Sequence, residues 1–190
     1  MDANNPERDG SPIQQAISYP LGVDPLVLRA VLLAEDAYRR GVRESGAPNR
    51  GPEVEEYQRG YGHDRFYLVG ERWCAVFATY CYERAAGELG LPSPLLGWRR
   101  GSSPRTDSDL ASASKILEST AHPPSAGYGR RLDQPVFGCL GLFVAPNHVT
   151  LVVDPRPGKK TCVTIEGNFR NRVEMVLREK TDFRAFVRVV

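Results

Sequence analysis

Residues 148–165 read HVTLVVDPRPGKKTCVTI, and this stretch decides the predicted fold class. The runs 148–153 and 161–165 are rich in Val, Thr and Ile, which favour strands. Between them, residues 154–158 read DPRPG, a combination of Asp, Pro and Gly that is typical of a turn. We therefore expect two neighbouring antiparallel strands. Further short runs of the same texture are found at 140–145, 173–178 and 183–190.

Helical patterns precede these strands. Asp24 can cap a first helix, Pro25 suits its first position, and apolar residues then recur at spacings of three and four until Gly41. A second helix is predicted over roughly 73–88. Because the helices come first and an antiparallel meander follows, the sequence predicts an α+β fold rather than a doubly wound α/β fold.

The remaining segments define the predicted domain organisation. Residues 1–23 contain scattered Pro, Gly and Asn, and we expect a flexible N-terminal arm. Residues 24–190 form a single predicted domain, with a short helix predicted at 52–58. The stretch 91–135 is rich in Ser, Pro, Gly and Arg and indicates a long surface insertion, within which residues 108–120 form one predicted helix.

Composition excludes several classes of protein. With 190 residues, 41% hydrophobic and 25% charged, the chain is neither disordered, collagen-like nor a coiled coil. A net charge of +2 argues against a nucleic-acid partner. No window approaches 18 uninterrupted apolar residues, so we expect no membrane span. The polar start MDANNPERD does not resemble a Sec signal peptide, and we expect synthesis in the cytoplasm.

Four cysteines occur without a CxxC pair, which predicts free thiols and no zinc site of the usual spacing: Cys74, Cys81, Cys139 and Cys162. Cys74 stands apart because it lies at the expected start of the second helix. The free N–H groups and the positive end of the helix dipole lower the pKa of a thiol there, and they can also hold an oxyanion. Cys81 lies in the middle of the same helix and is predicted to be a core thiol.

A thiolate nucleophile needs a base, and the chain has three histidines. His63 and His122 lie in loop-rich segments, whereas His148 begins a predicted strand that can face a helix terminus. Across the predicted hairpin, His148 would neighbour Glu166 or Asn168, and either would orient the imidazole. The alternatives are a structural histidine and a plain Glu-Gly-Asn turn.

These residues carry a family resemblance. The chain resembles the CHAP amidase family, part of the NlpC/P60-like, papain-related cysteine peptidases, over roughly residues 45–178, though not within 91–135. The Trp-Cys-Ala sequence followed by Phe is its most specific element, and Glu-x-Asn is the next. The matching stretches are NRGPEV at 49–54, Tyr57, GERWCAVF at 70–77, His148-Val149 and IEGN at 165–168.

The resemblance implies a papain-like α+β fold in which a nucleophile helix packs on a C-terminal antiparallel sheet. It also implies thiol-dependent hydrolysis of amide bonds in peptidoglycan. Such a mechanism requires no cofactor, and we expect no metal. Cys74 would be the nucleophile and His148 the general base; Glu166 would orient the histidine, and Asn168 would assist it or polarise the substrate. The chain departs from the family's common pattern at Cys139, where Asp often follows Gly, and at Thr150, where Gly is common.

Substrate and partner expectations follow from this resemblance. Trp73 and Trp98 would line a groove, and Arg72 would meet the acidic stem peptide; a buried aromatic and a solvated charge are the alternatives. Such an enzyme acts in the periplasm or wall of a target bacterium after export, injection or lysis, as an antibacterial effector or a phage-type lysin. An effector would have an immunity protein or a component of a secretion apparatus as partner.

Three rival functions remain at this level. One is a thiol hydrolase or acyltransferase that acts on a different amide, and another is an inactive binding module of the same fold. The third is a zinc site held by Cys74, Cys81, His63 and His148. Separately, Asp107 and Asp109 suggest a calcium site, with a helix cap as the alternative.

Overall fold

The computed structural model describes residues 17, 19–60, 69–94, 116, 129–143 and 147–189. This part of the chain forms helices and one antiparallel sheet, which confirms the α+β prediction. The helices are α1 (Pro25–Arg39), α2 (Pro52–Arg59) and α3 (Cys74–Glu88). The strands are β1 (Arg130–Leu132), β2 (Leu140–Phe143), β3 (Val149–Asp154), β4 (Thr161–Phe169), β5 (Arg172–Glu179) and β6 (Phe183–Arg188), with a 3₁₀ turn at Lys180–Asp182.

Helix α1 begins and ends where local chemistry directs it. The Asp24 carboxylate accepts a hydrogen bond of 2.8 Å from the backbone N–H of Leu26, and Pro25 occupies the first turn. Beyond the last turn, Gly41 adopts a φ of 66°, which costs glycine little. The predicted first helix is therefore confirmed.

The six strands lie in the order β1-β6-β2-β3-β4-β5, and every neighbouring pair is antiparallel. In the predicted hairpin, Leu151 pairs with Ile165. The predicted strand 161–165 is longer in the structure, because β4 does not end at the Glu-Gly-Asn stretch and continues to Phe169. The strand instead absorbs Gly167 and Asn168 through a register shift, with Asn168 at a φ of 58°.

Apolar residues cover both faces of the sheet. Alternate residues such as Leu151 and Ile165 join the main core with the helices. The residues between them contribute to a second cluster made of Cys139, Val152, Cys162, Phe183 and Phe186. Glu166 belongs to this second face and is fully buried, so the strands near the site are shielded on both sides.

Helix α3 packs very closely on β4. A Cβ atom added to Gly167 would lie 2.6 Å from the Cβ of Phe77, closer than real side chains approach. Glycine at this position therefore allows the contact. The N-terminal end of α3, which carries Cys74, lies at the start of β3, where the sulfur interacts with the backbone N–H of Val149.

Parts of the predicted N-terminal arm and of the predicted insertion lie within the described residues. The last residues of the predicted N-terminal arm are docked: Ile17 packs against the main core, and the Tyr19 hydroxyl donates a hydrogen bond to Glu35. The predicted insertion is not surface loop throughout, because Arg130–Leu132 pairs with β6 and Ile116 is helical and fully buried. The rest of the predicted helix 108–120 lies outside the described residues.

None of the helices in the described ranges combines the length and apolar character that a membrane crossing requires.

Candidate active site

Cys74 is the first residue of α3, as the sequence predicts. The side chain before it in the chain, Trp73, carries no oxygen that could cap the helix. The backbone N–H groups of Ala75 and Val149 instead hydrogen-bond the sulfur. Cys74 is 6% exposed, and these two donors come from the helix and from the sheet.

His148 lies immediately before β3 and links the thiol to a carboxylate. Its Nε2 is 2.9 Å from Oε2 of Glu166, which leaves Nδ1 for the hydrogen bond with the Cys74 thiol. Nε2 must carry a proton to donate to the carboxylate. The tautomer of the neutral ring is thereby set, and Nδ1 is free to accept the thiol proton.

The charges of this pair favour proton transfer from sulfur to nitrogen. Burial alone would raise the pKa of Cys74, but the His148 imidazole and the two backbone N–H groups lower it below its ordinary value. Burial alone would lower the pKa of His148, but Cys74 and Glu166 raise it to about 9. A thiolate facing an imidazolium is therefore the favoured state.

Both oxygens of the Glu166 carboxylate accept hydrogen bonds. Oε1 accepts hydrogen bonds from the Thr164 hydroxyl at 2.6 Å and from Nε of Arg178 at 2.7 Å. Oε2 accepts from Nη2 of Arg178 at 2.6 Å as well as from His148. Burial alone would raise the pKa of Glu166, but Arg178 and His148 lower it to about 2, so the group is charged throughout the neutral range.

Sequence reasoning missed Arg178. It ends the predicted strand 173–178, where a single arginine indicates only a solvated position. In the register it pairs with Cys162, not with Glu166, so strand alignment alone does not bring the two side chains together. Its guanidinium reaches along the sheet and lies over the rings of Phe143 and Phe169, 5.0 and 4.6 Å from their centroids.

Asn168 occupies a different place from Glu166. Its Nδ2 donates to Oδ1 of Asn49 at 3.1 Å, and the hydrogen bonds of the described residues put Glu166, not Asn168, on His148. Asn49 has a φ of 56°, and its N–H and C=O are held by Glu44 and Gln58. Asn168 therefore joins β4 to the loop before α2.

Gln58 and Glu44 anchor the segment that leads into Cys74, and neither was singled out from the sequence. The fully buried Gln58 amide donates to the carbonyls of Asn49 and Glu71, at 3.0 and 2.7 Å, and accepts from the N–H of Gly70 at 3.2 Å. Glu44 accepts from the Trp73 indole at 2.9 Å. The only sequence signal is their position near the NRGPEV and GERWC motifs.

The three residues predicted to contact substrate lie in different environments. Trp73 is 0% exposed and packs on Tyr57 and Phe77, so it belongs to the core that supports Cys74 and not to a groove wall. Arg72 is exposed two residues before Cys74. Trp98 lies outside the described residues.

Within the described ranges, no group of three or more His, Cys, Asp or Glu side chains is placed to hold a metal ion. His63, His122, Asp107 and Asp109 lie outside these ranges. All four cysteines are free, as predicted, and Cys81 is a core thiol whose pKa burial raises to about 12.

Comparison of the chain with protein-family models, with curated proteins and with solved structures finds no match.

Proposed function

We propose that this protein is a cysteine hydrolase that cleaves an amide bond of the murein stem peptide through a thioester. The support is the chain of contacts from the Cys74 thiol through the two nitrogens of His148 to the buried Glu166 carboxylate. A nucleophile, a base and an orienting acid in direct contact are the parts that thiol-dependent acyl transfer requires. The resemblance to the papain-related CHAP and NlpC/P60-like enzymes supplies the substrate class.

The acylation half of the reaction uses the resting charges of the site. The Cys74 thiolate attacks the amide carbonyl, and the negative charge moves to the carbonyl oxygen, which backbone N–H groups at the start of α3 can stabilise. The His148 imidazolium donates its Nδ1 proton to the leaving amine. The C–N bond then breaks, and a thioester remains on Cys74.

Deacylation reverses the role of the histidine. Neutral His148 takes a proton from water, the hydroxide formed attacks the thioester carbonyl, and the thiolate leaves. The imidazolium that results is stabilised by Glu166, which remains charged. All the groups used are side chains and backbone of this chain.

The murein substrate places the proposed action in the periplasm or wall of a target bacterium, reached by export, injection or lysis. Two exposed arginines are the groups proposed to meet the carboxylates of the stem peptide: Arg72, two residues before Cys74, and Arg50, which also pairs with Glu55 at 3.1 Å. For an effector, the proposed partner is an immunity protein that covers the Cys74 site.

Purified murein sacculi test the proposal. We expect the wild-type protein to release muropeptides cut at one amide position, identified by mass spectrometry. The Cys74→Ala variant should lose roughly 10³-fold or more of this activity, because the nucleophile is removed. Cys81→Ala is the matched control, since it removes a thiol two turns further along the same helix and should retain activity.

Three outcomes would reject the proposal in whole or in part. Equal release by wild type and Cys74→Ala would remove the mechanism. No release, together with fast alkylation of Cys74 by iodoacetamide near neutral pH, would favour a thiol hydrolase or acyltransferase that acts on another amide. Slow alkylation, at the rate of an ordinary exposed thiol, would favour a binding module.

A further inference from the structure

The Glu166 carboxylate has no unused acceptor position. An ionised carboxylate offers about four lone-pair sites, and here four hydrogen bonds arrive from Thr164, twice from Arg178, and from His148. Only one of these contacts is to the histidine. The other three fix the plane and the depth of the carboxylate, and they therefore determine where Nε2 of His148 can lie.

Arg178 is itself held rigidly. Its Nε and Nη2 contact the two different oxygens of Glu166, which is the planar two-point geometry that only arginine provides. Two aromatic rings, Phe143 and Phe169, flank the guanidinium, and its side chain is 20% exposed. Phe143 also lies 5.5 Å from the His148 ring, centroid to centroid, so the same ring borders both cations.

We propose that Arg178 is a positioning residue for the Cys74–His148 pair, which acts by locking the Glu166 carboxylate through a two-point contact and by balancing its charge. The consequence for turnover rests on the proposed hydrolase function. The consequence for the ionisation of Cys74 does not, because it concerns the protein alone.

Charge balance explains why a second cation is useful. A buried Glu166 facing His148 alone would form a strong ion pair that holds the histidine proton and leaves excess negative charge beside the thiolate. With Arg178 present, the four groups carry two positive and two negative charges in the reactive state. Removal of a cation raises the pKa of every nearby acid, so loss of Arg178 must make thiolate formation at Cys74 harder.

The groups that face this network in the described ranges come from four elements. Arg178 approaches from β5, His148 from the start of β3, and Cys74 from α3. On β4, Cys162 senses the charge of Glu166, but burial raises the pKa of this thiol to about 11, so it stays neutral. Glu174 on β5 pairs opposite Glu166 in the register and contacts Arg172.

The test measures the rate at which iodoacetamide alkylates Cys74 as a function of pH, read by peptide mass spectrometry. We expect Arg178→Gln to move the acid limb of the profile upward by about one pH unit, which is about a tenfold lower rate on that limb. Arg178→Lys keeps the charge and should leave the limb within about 0.3 unit of wild type. Arg172→Gln, an arginine with a half-exposed side chain on the same strand, is the control and should match wild type.

A second readout addresses position and does not depend on the Gln variant folding. Because lysine cannot reproduce the two-point contact, we expect the Nε2–H proton of His148 to exchange with water at least about tenfold faster in Arg178→Lys than in wild type, measured by NMR. Turnover in this variant should fall about tenfold with KM unchanged, if the hydrolase proposal holds.

Either of two results would overturn the inference. The first is an alkylation profile of folded Arg178→Gln that coincides with wild type. The second is an unchanged Nε2–H exchange rate in Arg178→Lys. By contrast, shifted profiles without release of muropeptides would support the role of Arg178 and reject the murein substrate.

Discussion

At the scale of single residues, the ionisation of Glu166 makes the stability of the fold depend on pH in the acid range. Its folded pKa of about 2 lies below the ordinary 4.5, so the unfolded chain binds a proton first as the pH falls. Its contribution to stability is present above pH 4.5 and is lost as the pH falls toward 2. The full contribution is on the order of 3 kcal/mol.

We therefore expect the free energy of unfolding to fall steeply between pH 4.5 and pH 3 in the wild type. The slope against pH should exceed that of Glu166→Gln by the equivalent of up to one proton bound on unfolding. Urea titrations at several pH values provide this measurement. Glu174→Gln is the control. It removes the carboxylate that pairs opposite Glu166 in the register, and among the described residues Glu174 makes no hydrogen bond to His148 or Arg178. Parallel slopes for wild type and Glu166→Gln would contradict the prediction.

Some residues of the site could be predicted from the sequence, and others could not. Cys74 and His148 were identifiable because their positions, a helix start and a strand start, already explain their chemistry. For the orienting group the sequence left Glu166 and Asn168 open, and the side chains decide between them. Arg178 could not be found, because its contact depends on the reach of one long side chain across the sheet.

At the scale of elements, the contact of α3 with β4 depends on Gly167. A methyl group there would overlap Phe77, so we expect Gly167→Ala to destabilise the fold by about 1–3 kcal/mol and to slow alkylation of Cys74 as the helix moves away. The double variant Gly167→Ala/Phe77→Ala tests the cause. If overlap is responsible, its loss of stability will be smaller than the sum of the two single losses, as measured by urea denaturation.

Most helices and strands were predictable from the hydrophobic periodicity and the capping residues. The two strands that were missed or predicted too short, β1 and β4, both depend on pairing with a neighbouring strand. The helices and five of the strands were expected, because local residues determine where they begin. β1 was missed because its three residues have no apolar pattern of their own and become a strand only by pairing with β6. β4 was predicted too short because Gly and Asn are turn residues, whereas pairing with β5 carries the strand past them.

At the scale of the whole molecule, the fold makes one cysteine different from the other three. Burial raises the pKa of Cys81 and Cys139 to about 12 and of Cys162 to about 11, while that of Cys74 is lowered. We expect native protein treated with iodoacetamide at pH 7 to gain one adduct, at Cys74, and urea-unfolded protein to gain four. Native Cys74→Ala should gain none on the same timescale, and an adduct that forms first on Cys162 would contradict this assignment.

The fold class was predictable as α+β from the order of helices and strands, and it is confirmed. The closer resemblance to papain-related amidases remains a prediction about family. The docking of Ile17 and the burial of Ile116 were not predictable, since both are isolated apolar residues in segments of loop-like composition.

The order of the strands has a consequence during synthesis. Cys74 leaves the ribosome before His148, Glu166 and Arg178, and at ordinary translation speeds the delay is on the order of ten seconds. Until the C-terminal strands are made and paired, the nascent chain carries only an ordinary thiol. Because His148 and the Val149 N–H, which lower the pKa of Cys74, lie later in the chain, we expect the thiol to become activated only when the sheet around them has formed.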